Sequence, residues 1–324
     1  MTKAASAQDG AAPDPLRGTL ELLGDQWTLL IVQSVFLRVR RYEELRARLG
    51  ISPTALSGRL RAAVDAGILA RSPYRGQGRT RHEYRLTESG LDLWPLLVSI
   101  WTWERTWVAG RAEALPNLTH VDCGKHTVAG LGCGACLEPV ALADVRLVRL
   151  RPAHSTGGAA RRFRRRDAEP LAVDPLLFFP ATMELLGDRW STSIMLNAFL
   201  GTEHFSEFER ELGIGPSVLS DRLGRLVAAG VLGTGTARTR ADARAYRLLP
   251  KGAAFLPCLA ILIEWTRARR PAGADASGPG VALHHLACGH PLEPVLLCEH
   301  CSVALSRKAL AFDLDAPAPS PALR

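Results

Sequence analysis

Long apolar runs are missing from this 324-residue chain. The most hydrophobic stretch, FLPCLAILIEW at 255–265, is too short and too soon charged to cross a bilayer, and the opening MTKAASAQDGAAPDP has no apolar segment of the kind that directs secretion. A cytoplasmic protein without membrane contact is therefore expected. Also missing is any recurring set of nucleophile, base and orienting group, so catalysis is not expected. Acidic charge is in deficit: 32 Asp and Glu stand against 40 Lys and Arg, leaving a net charge of +8. That balance suits an anionic partner, although a generic basic surface would explain it as well. The 47% hydrophobic content is enough for two ordinary cores and argues against a disordered chain.

What is present is present twice. LELLGDQWTLLIV around Trp27 returns as MELLGDRWSTSIM around Trp190, and LGISPTALSGRL around Pro53 returns as LGIGPSVLSDRL around Pro216, both 163 residues later. EYRLTESG at 83–90 matches AYRLLPKG at 245–252, and Pro95 and Trp103 match Pro257 and Trp265, each 162 residues on. Insertions are thus confined to loops. A cysteine motif follows each copy, so the repeating unit is domain-sized.

Within each copy the pattern predicts helix, helix, helix, hairpin, helix. Leu20, Leu23, Trp27, Leu30 and Ile31 mark one helix over 16–38. A short helix carries Tyr42, Leu45 and Leu49, with Phe205, Phe208 and Leu212 in the second copy. A third starts at Ser52-Pro53 (Gly215-Pro216) and buries Leu56, Leu60 and Val64, or Leu219, Leu223 and Val227. ILARSPY and RHEYRLT flank a glycine-bearing turn, as do VLGTGTA and ARAYRLL. Thr87 then opens a long helix through Trp94, Trp101 and Val108.

G-D-x-W in the first helix, G-I-x-P-x-x-L-S-x-R-L in the third and Y-R-L on the returning strand resemble the HxlR-type winged helix-turn-helix transcriptional regulators over roughly 16–108 and, more loosely, 179–268. The resemblance implies DNA binding, dimerisation and no enzymatic activity. The second copy departs from it at Leu249-Pro250, where the first has the capping Thr87-Glu88. A tandem pair is itself unusual for a family that commonly carries one domain.

Double-stranded DNA is therefore the expected partner. The exposed face of the third helix nominates Ser52, Thr54, Ser57, Gly58 and Arg61, then Ser217, Ser220 and Asp221, with Arg59 and Arg222 nearer the core edge, where a phosphate contact and an internal ion pair are equally expected. No Asn, Gln or Lys is offered there for bidentate base reading, while Asp221 could accept from a cytosine amino group. Basic residues crowd the hairpins instead: Arg71, Arg75, Arg79, Arg81 and Arg85, then Arg238, Arg240, Arg244 and Arg247. Such wings suit phosphates or a minor groove.

Six of the seven cysteines fall into two groups of identical spacing. His120, Cys123, Cys133 and Cys136 read H-x2-C-x9-C-x2-C, and His285, Cys288, Cys298 and Cys301 repeat every interval. Two ligand pairs joined by a short loop suit a tetrahedral structural zinc site, so two zinc ions per chain are expected, one within each copy. His126 and His290 compete for the fourth position. Disulfides are disfavoured in a cytoplasmic protein with an odd number of cysteines per copy, and a redox C-x-x-C lacks its usual βαβ setting. Cys258 reads as a small buried residue.

The expected fold is α+β, mainly α: two winged helix-turn-helix domains, each followed by a small zinc-ribbon-like lobe. The divisions are a disordered 1–15, a winged helix at 16–112, a lobe at 113–150, a basic linker at 151–172, a second winged helix at 173–274, a second lobe at 275–312 and a disordered tail at 313–324. Surplus apolar residues on the last helices (Leu91, Trp94, Leu97, Val98, Trp101, Trp103 and Trp107; Phe255, Leu259, Leu262, Ile263 and Trp265) point to helix-to-helix association. That makes the chain an intrachain pseudo-dimer on a two-half-site operator, with a homodimer of chains and a metal- or redox-responsive interaction protein as the other readings. The sequence identifies no operator and no effector.

Overall fold

The computed structural model describes residues 15–76, 79–150, 179–236, 244–269 and 280–313. The basic linker at 151–172 lies outside them, as do nearly all of the two terminal segments.

The helix expected over 16–38 is two helices, α1 (Pro15–Leu23) and α2 (Gln26–Phe36). Asp25 makes the break: it is extended (φ −89°, ψ 117°), and its carboxylate accepts from the Thr28 N–H at 3.3 Å and the Thr28 hydroxyl at 2.9 Å, starting a new helix. α3 (Tyr42–Leu49) ends at Gly50 in the left-handed region (φ 59°). α4 (Pro53–Asp65) opens as the sequence indicates, with Ser52 Oγ accepting from the Ala55 N–H at 3.3 Å and Pro53 at the first helical position. The hairpin is β1 (Leu69–Gly76) antiparallel to β2 (Arg79–Leu86). Thr87 caps only a short α5 (Glu88–Leu91), with its Oγ1 accepting from the Gly90 N–H at 3.1 Å. The long helix expected from Thr87 starts afresh as α6 (Trp94–Trp107), because Pro95 near its start has no N–H to continue the earlier turn. α7 (Arg111–Ala114) follows, then β3 (Leu118–His120), β4 (Lys125–His126), β5 (Ala129–Cys133) and β6 (Val145–Arg149).

The second repeat runs α8 (Pro180–Leu186), α9 (Arg189–Phe199), α10 (Phe205–Leu212), α11 (Pro216–Ala228), β7 (Leu232–Thr236), β8 (Arg244–Leu248), α12 (Pro250–Ala253), α13 (Leu256–Ala268), β9 (Val281–His285), β10 (Pro294–Cys298) and β11 (Leu310–Phe312). α12 forms without a capping side chain because Pro250 takes its first position, where the missing donor costs nothing.

The repeats pack through equivalent surfaces. α6 lies against α13, and the contacts are reciprocal: Trp103 Nε1 donates to Lys251 O at 3.0 Å, and Trp265 Nε1 donates to Ser89 O at 3.1 Å. Both indoles are buried, and the Trp103 ring meets the Phe255 edge with centroids 5.2 Å apart. At about 150–250 Å² per aromatic ring and about 25 cal/mol per Å², each buried indole contributes several kcal/mol as an upper bound. Of the surplus on the last helices, Trp103 and Trp265 are spent here, on the other repeat, while Trp107 stays exposed. One pair of equivalent positions breaks the symmetry. Thr266 Oγ1 donates to Thr19 Oγ1 at 2.9 Å, whereas fully buried Glu104 accepts from both the N–H and the hydroxyl of Thr182, at 2.7 and 2.8 Å.

The lobes are exchanged. β5 pairs antiparallel with β10 about the Leu131–Leu296 position, β6 pairs with β9, and β11 joins β3 and β4. Within the first lobe β3–β4 is the one strand pair formed between named strands of the same repeat. A two-stranded pair of strands this short is marginally stable on its own, and pairing with the other repeat gives β5, β6 and β3 further partners. Beyond the strands, Phe312 stacks edge-on to Trp101 with centroids 5.6 Å apart, and Arg149 reaches Asn197 Oδ1 at 2.6 Å.

Candidate nucleic-acid interface and metal centres

α4 buries Leu56, Leu60 and Ala63 and turns Ser52, Thr54, Ser57, Gly58 and Arg61 to solvent. Equivalent α11 buries Leu219, Leu223 and Leu226 and exposes Ser217, Ser220 and Asp221. Arg59 has a different task. Its Nε donates to Asp25 Oδ2 at 2.7 Å and its Nη2 to Oδ1 at 3.3 Å, tying α4 to the start of α2. Arg222 repeats the link to Asp188 at 2.5 Å. Of the two readings the sequence left for these arginines, the ion pair is the one present in the structure. The acid and the arginine are 34 residues apart in both copies, a regularity visible in the sequence. Asp221 is also engaged, its Oδ2 by Arg222 Nη1 and by Arg225 Nε at 3.1 Å, while the side chain stays 48% exposed.

Two residues at this surface were not singled out. The Tyr42 hydroxyl lies 3.2 Å from Ser57 Oγ and donates to Pro53 O at 3.1 Å, so α3 fixes the first turns of α4; Phe205 stands at the equivalent place and has no hydroxyl. Val218, 39% exposed at the start of α11, is an apolar side chain where α4 carries Ala55.

Register divides the first wing's arginines. Tyr74 faces Arg81 and Ala70 faces Arg85, whereas Arg71 opposes Tyr84 on the other side of the hairpin, since successive side chains alternate. Arg81 and Arg85 therefore share one face, opposite Arg71. Arg41, unnoticed in the sequence, stacks its guanidinium 4.9 Å from the Tyr74 ring centre and joins the Arg81 face. Arg85 is held by Glu83 at 2.6 Å, and Arg247 by both oxygens of Glu203 at 2.9 and 3.0 Å. Arg238 and Arg240 lie outside the described residues.

The eight expected ligands converge in two groups of four, but not in the expected sets. His120 and Cys123 of the first repeat meet Cys298 and Cys301 of the second; Cys133 and Cys136 of the first meet His285 and Cys288 of the second. Ligand atoms in each group lie within 4.8 Å of one another, and either group can hold a metal ion. The exchange follows from the strands: β5 and β10 run antiparallel, so Cys133 and Cys298 sit at opposite ends of the pair, and each is delivered to the other repeat's His-x2-Cys turn. His126 and His290 are exposed and outside both groups; His126 Nδ1 instead contacts the Thr119 hydroxyl at 3.1 Å.

Distances inside the groups are informative. Cys123 and Cys298 sulfurs are 3.9 Å apart, Cys133 and Cys288 sulfurs 3.8 Å, and each second-knuckle thiol lies 3.4 Å from a histidine Nδ1. A disulfide would need about 2.05 Å. Sulfurs about 2.3 Å from a shared tetrahedral ion would stand about 3.8 Å apart, which is what is seen. Burial would raise the Cys298 thiol, but the Thr127 hydroxyl and the N–H groups of Cys301 and His300 outweigh it and bring it to about 6. Cys133 is likewise lowered against its burial by the N–H groups of Ala135 and Cys136. Both shifts favour the thiolate, the ligand form. His120 and His285 are each 1% exposed, and Asp122 Oδ2 lies 3.5 Å from Nε2 of His120 without forming a hydrogen bond. Cys258, buried on α13, has its thiol pushed up by desolvation and takes no part.

Among the described residues no helix is long and apolar enough to cross a membrane. Comparison with known proteins matches the model of the HxlR-like helix-turn-helix family twice, at residues 22–112 and 185–273. An uncharacterized HTH-type transcriptional regulator of Mycobacterium tuberculosis is 42% identical over 127 residues, which are 39% of this chain and 79% of that protein. Another of that description, from Synechocystis, is 32% identical over 87 residues, 26% of this chain and 64% of its own. A solved structure of a candidate transcription factor from Pseudomonas aeruginosa is 30% identical, covering 44% of this chain and 95% of its own, with a TM-score of 0.32. With two matched regions spanning more than half its length, each built on the helices and hairpin described above, the chain belongs to the HxlR-like helix-turn-helix family of transcriptional regulators.

Proposed function

We propose that this regulator works as an intrachain pseudo-dimer, one chain placing α4 and α11 in the major groove at two half-sites of a single operator in double-stranded DNA. The observation that carries this is the reciprocal pair Trp103 to Lys251 and Trp265 to Ser89: equivalent residues make equivalent contacts, the property of a twofold dimer interface. Two heads so related suit half-sites about one helical turn apart, roughly 34–36 Å. Thr54, Ser57, Gly58 and Arg61 would meet the first half-site, and Ser217, Val218 and Ser220 the second, with Arg79 and Arg81 on phosphates. The operator is then not a true palindrome, because Arg61 is replaced by Gly224 and Ala55 by Val218.

Two zinc ions per chain complete the molecule in this reading. Three sulfurs and one imidazole nitrogen in each group favour zinc over harder cations, and four protein ligands leave no open position for chemistry. The test combines mass measurement of the DNA complex with footprinting. One chain protecting two half-sites is expected; two chains on one symmetric site, or protection of a single half-site, would overturn it.

A further inference from the structure

We propose that the two metal ions are clasps between the repeats, so that metal occupancy fixes one reading head relative to the other; the link to DNA rests on the two-headed reading above. A structural ion usually closes one domain upon itself, and its binding energy stabilises that domain. Here neither repeat owns a complete site. His120 and Cys123 need Cys298 and Cys301 from the other half of the chain, and His285 and Cys288 need Cys133 and Cys136. Each ion therefore joins segments separated by about half the sequence.

From each ion a short path of contacts leads to a helical domain. His285 is paired with Val145, the first residue of β6; Arg149, the last, reaches Asn197 on α9 at 2.6 Å and Glu211 on α10 at 3.4 Å, the helix preceding α11. His120 is paired with Leu310, and β11 ends at Phe312, stacked on Trp101 of α6. Without a cation, the four ligand atoms gathered within 4.8 Å have no ion to bind them together, and the strands that carry them lose that anchor. α6 and α13 still hold the repeats in contact. What relaxes is the orientation of the heads, which binding to two half-sites at once requires.

The ligand grouping is tested on the full chain loaded with cobalt(II) against a competing chelator, reading thiolate-to-metal absorption. Cys123→Ser with Cys301→Ser removes two ligands from one site and should leave one intact three-thiolate, one-imidazole centre. Cys123→Ser with Cys133→Ser removes one ligand from each site and should leave none. Both variants lose two cysteines, so general destabilisation affects them alike; equal cobalt counts, or the reverse order, would overturn the clasp. The coupling is tested by binding zinc-loaded and chelated protein to DNA with one or two half-sites. Chelation should weaken two-site binding by at least about tenfold, out of the roughly 10²–10⁴-fold that linking two modules can give, and leave one-site binding unchanged. Unchanged two-site affinity after verified zinc removal would refute the coupling. If zinc-loaded protein binds no DNA at all, the two-headed reading falls, while the cobalt result still decides whether the ions bridge the repeats.

Discussion

Substituting Asp25 with alanine should destabilise the protein more than the same change at Asp188, although the two residues hold equivalent positions. Asp25 does two things at once: it caps α2 through Thr28 and accepts both Nε and Nη2 of Arg59. Its side chain is 7% exposed and that of Arg59 is 24% exposed. Loss of the cap costs about 1 kcal/mol. Removing one partner of a buried pair costs about 3–5 kcal/mol, and the residual exposure of Arg59 reduces that to about 2 kcal/mol, for a total of about 3 kcal/mol. Asp188 caps α9 through Ser191 but is 31% exposed, and its partner Arg222 keeps Asp221 as a second carboxylate. Its loss should cost about 1–2 kcal/mol. Urea titrations followed by circular dichroism, with a common slope across variants, measure the difference. Asp25→Asn should recover about the cap's share. Equal costs at the two sites, or a larger cost at Asp188, would refute the reasoning that burial and the number of partners set the value of this motif.

Three further outcomes are expected. Arg81→Ala should lower the slope of log affinity against log salt by about 0.9, whereas Arg59→Ala should leave the slope unchanged, because Arg59 is spent on Asp25; salt-titrated binding of both variants checks this. Burial raises the Glu104 carboxyl above its ordinary 4.5 despite the Thr182 hydrogen bonds and Arg111, so the folded state holds this proton more tightly than the unfolded chain does. Its contribution to stability is then most favourable below pH 4.5 and declines as pH rises through the folded value, by up to about 1.4 kcal/mol per pH unit. Glu104→Gln should abolish that decline, and stability curves for variant and parent that stay parallel from pH 4 to 8 would exclude it. Replacing thymine by deoxyuridine in the second half-site should weaken binding about fourfold, the value of about 0.8 kcal/mol for one buried methyl group, in the parent protein but not in Val218→Ala; equal sensitivity of both would remove Val218 from the reading surface.

Local chemistry made much of this molecule legible from its sequence. Ser52-Pro53 announced α4 because a capping oxygen and a proline are each useful only at a helix start, and Leu56 and Leu60 recurred at the period that buries one face. The eight candidate metal ligands were identifiable because coordination demands particular residue types at fixed spacing. Equal spacing in two copies also showed that one surface was present twice. Grouping was another matter. A regular H-x2-C-x9-C-x2-C motif within each repeat suggests closure within that repeat, and spacing carries no information about which strand pairs with which. Only the antiparallel meeting of β5 with β10 carries each C-x-x-C pair to the opposite repeat. The division of the arginines was likewise undecided in one dimension: charge alone cannot separate Arg59, folded back on Asp25, from Arg61, left in solvent two residues later. Residue type and local period thus determined most of the elements, the duplicated third helices and the inventory of candidate ligands. Which repeat completes each candidate metal site depended on contacts between segments more than a hundred residues apart, and which charges remain for a partner depended on nearer pairs such as Arg59 with Asp25, 34 residues apart; tertiary packing decided both.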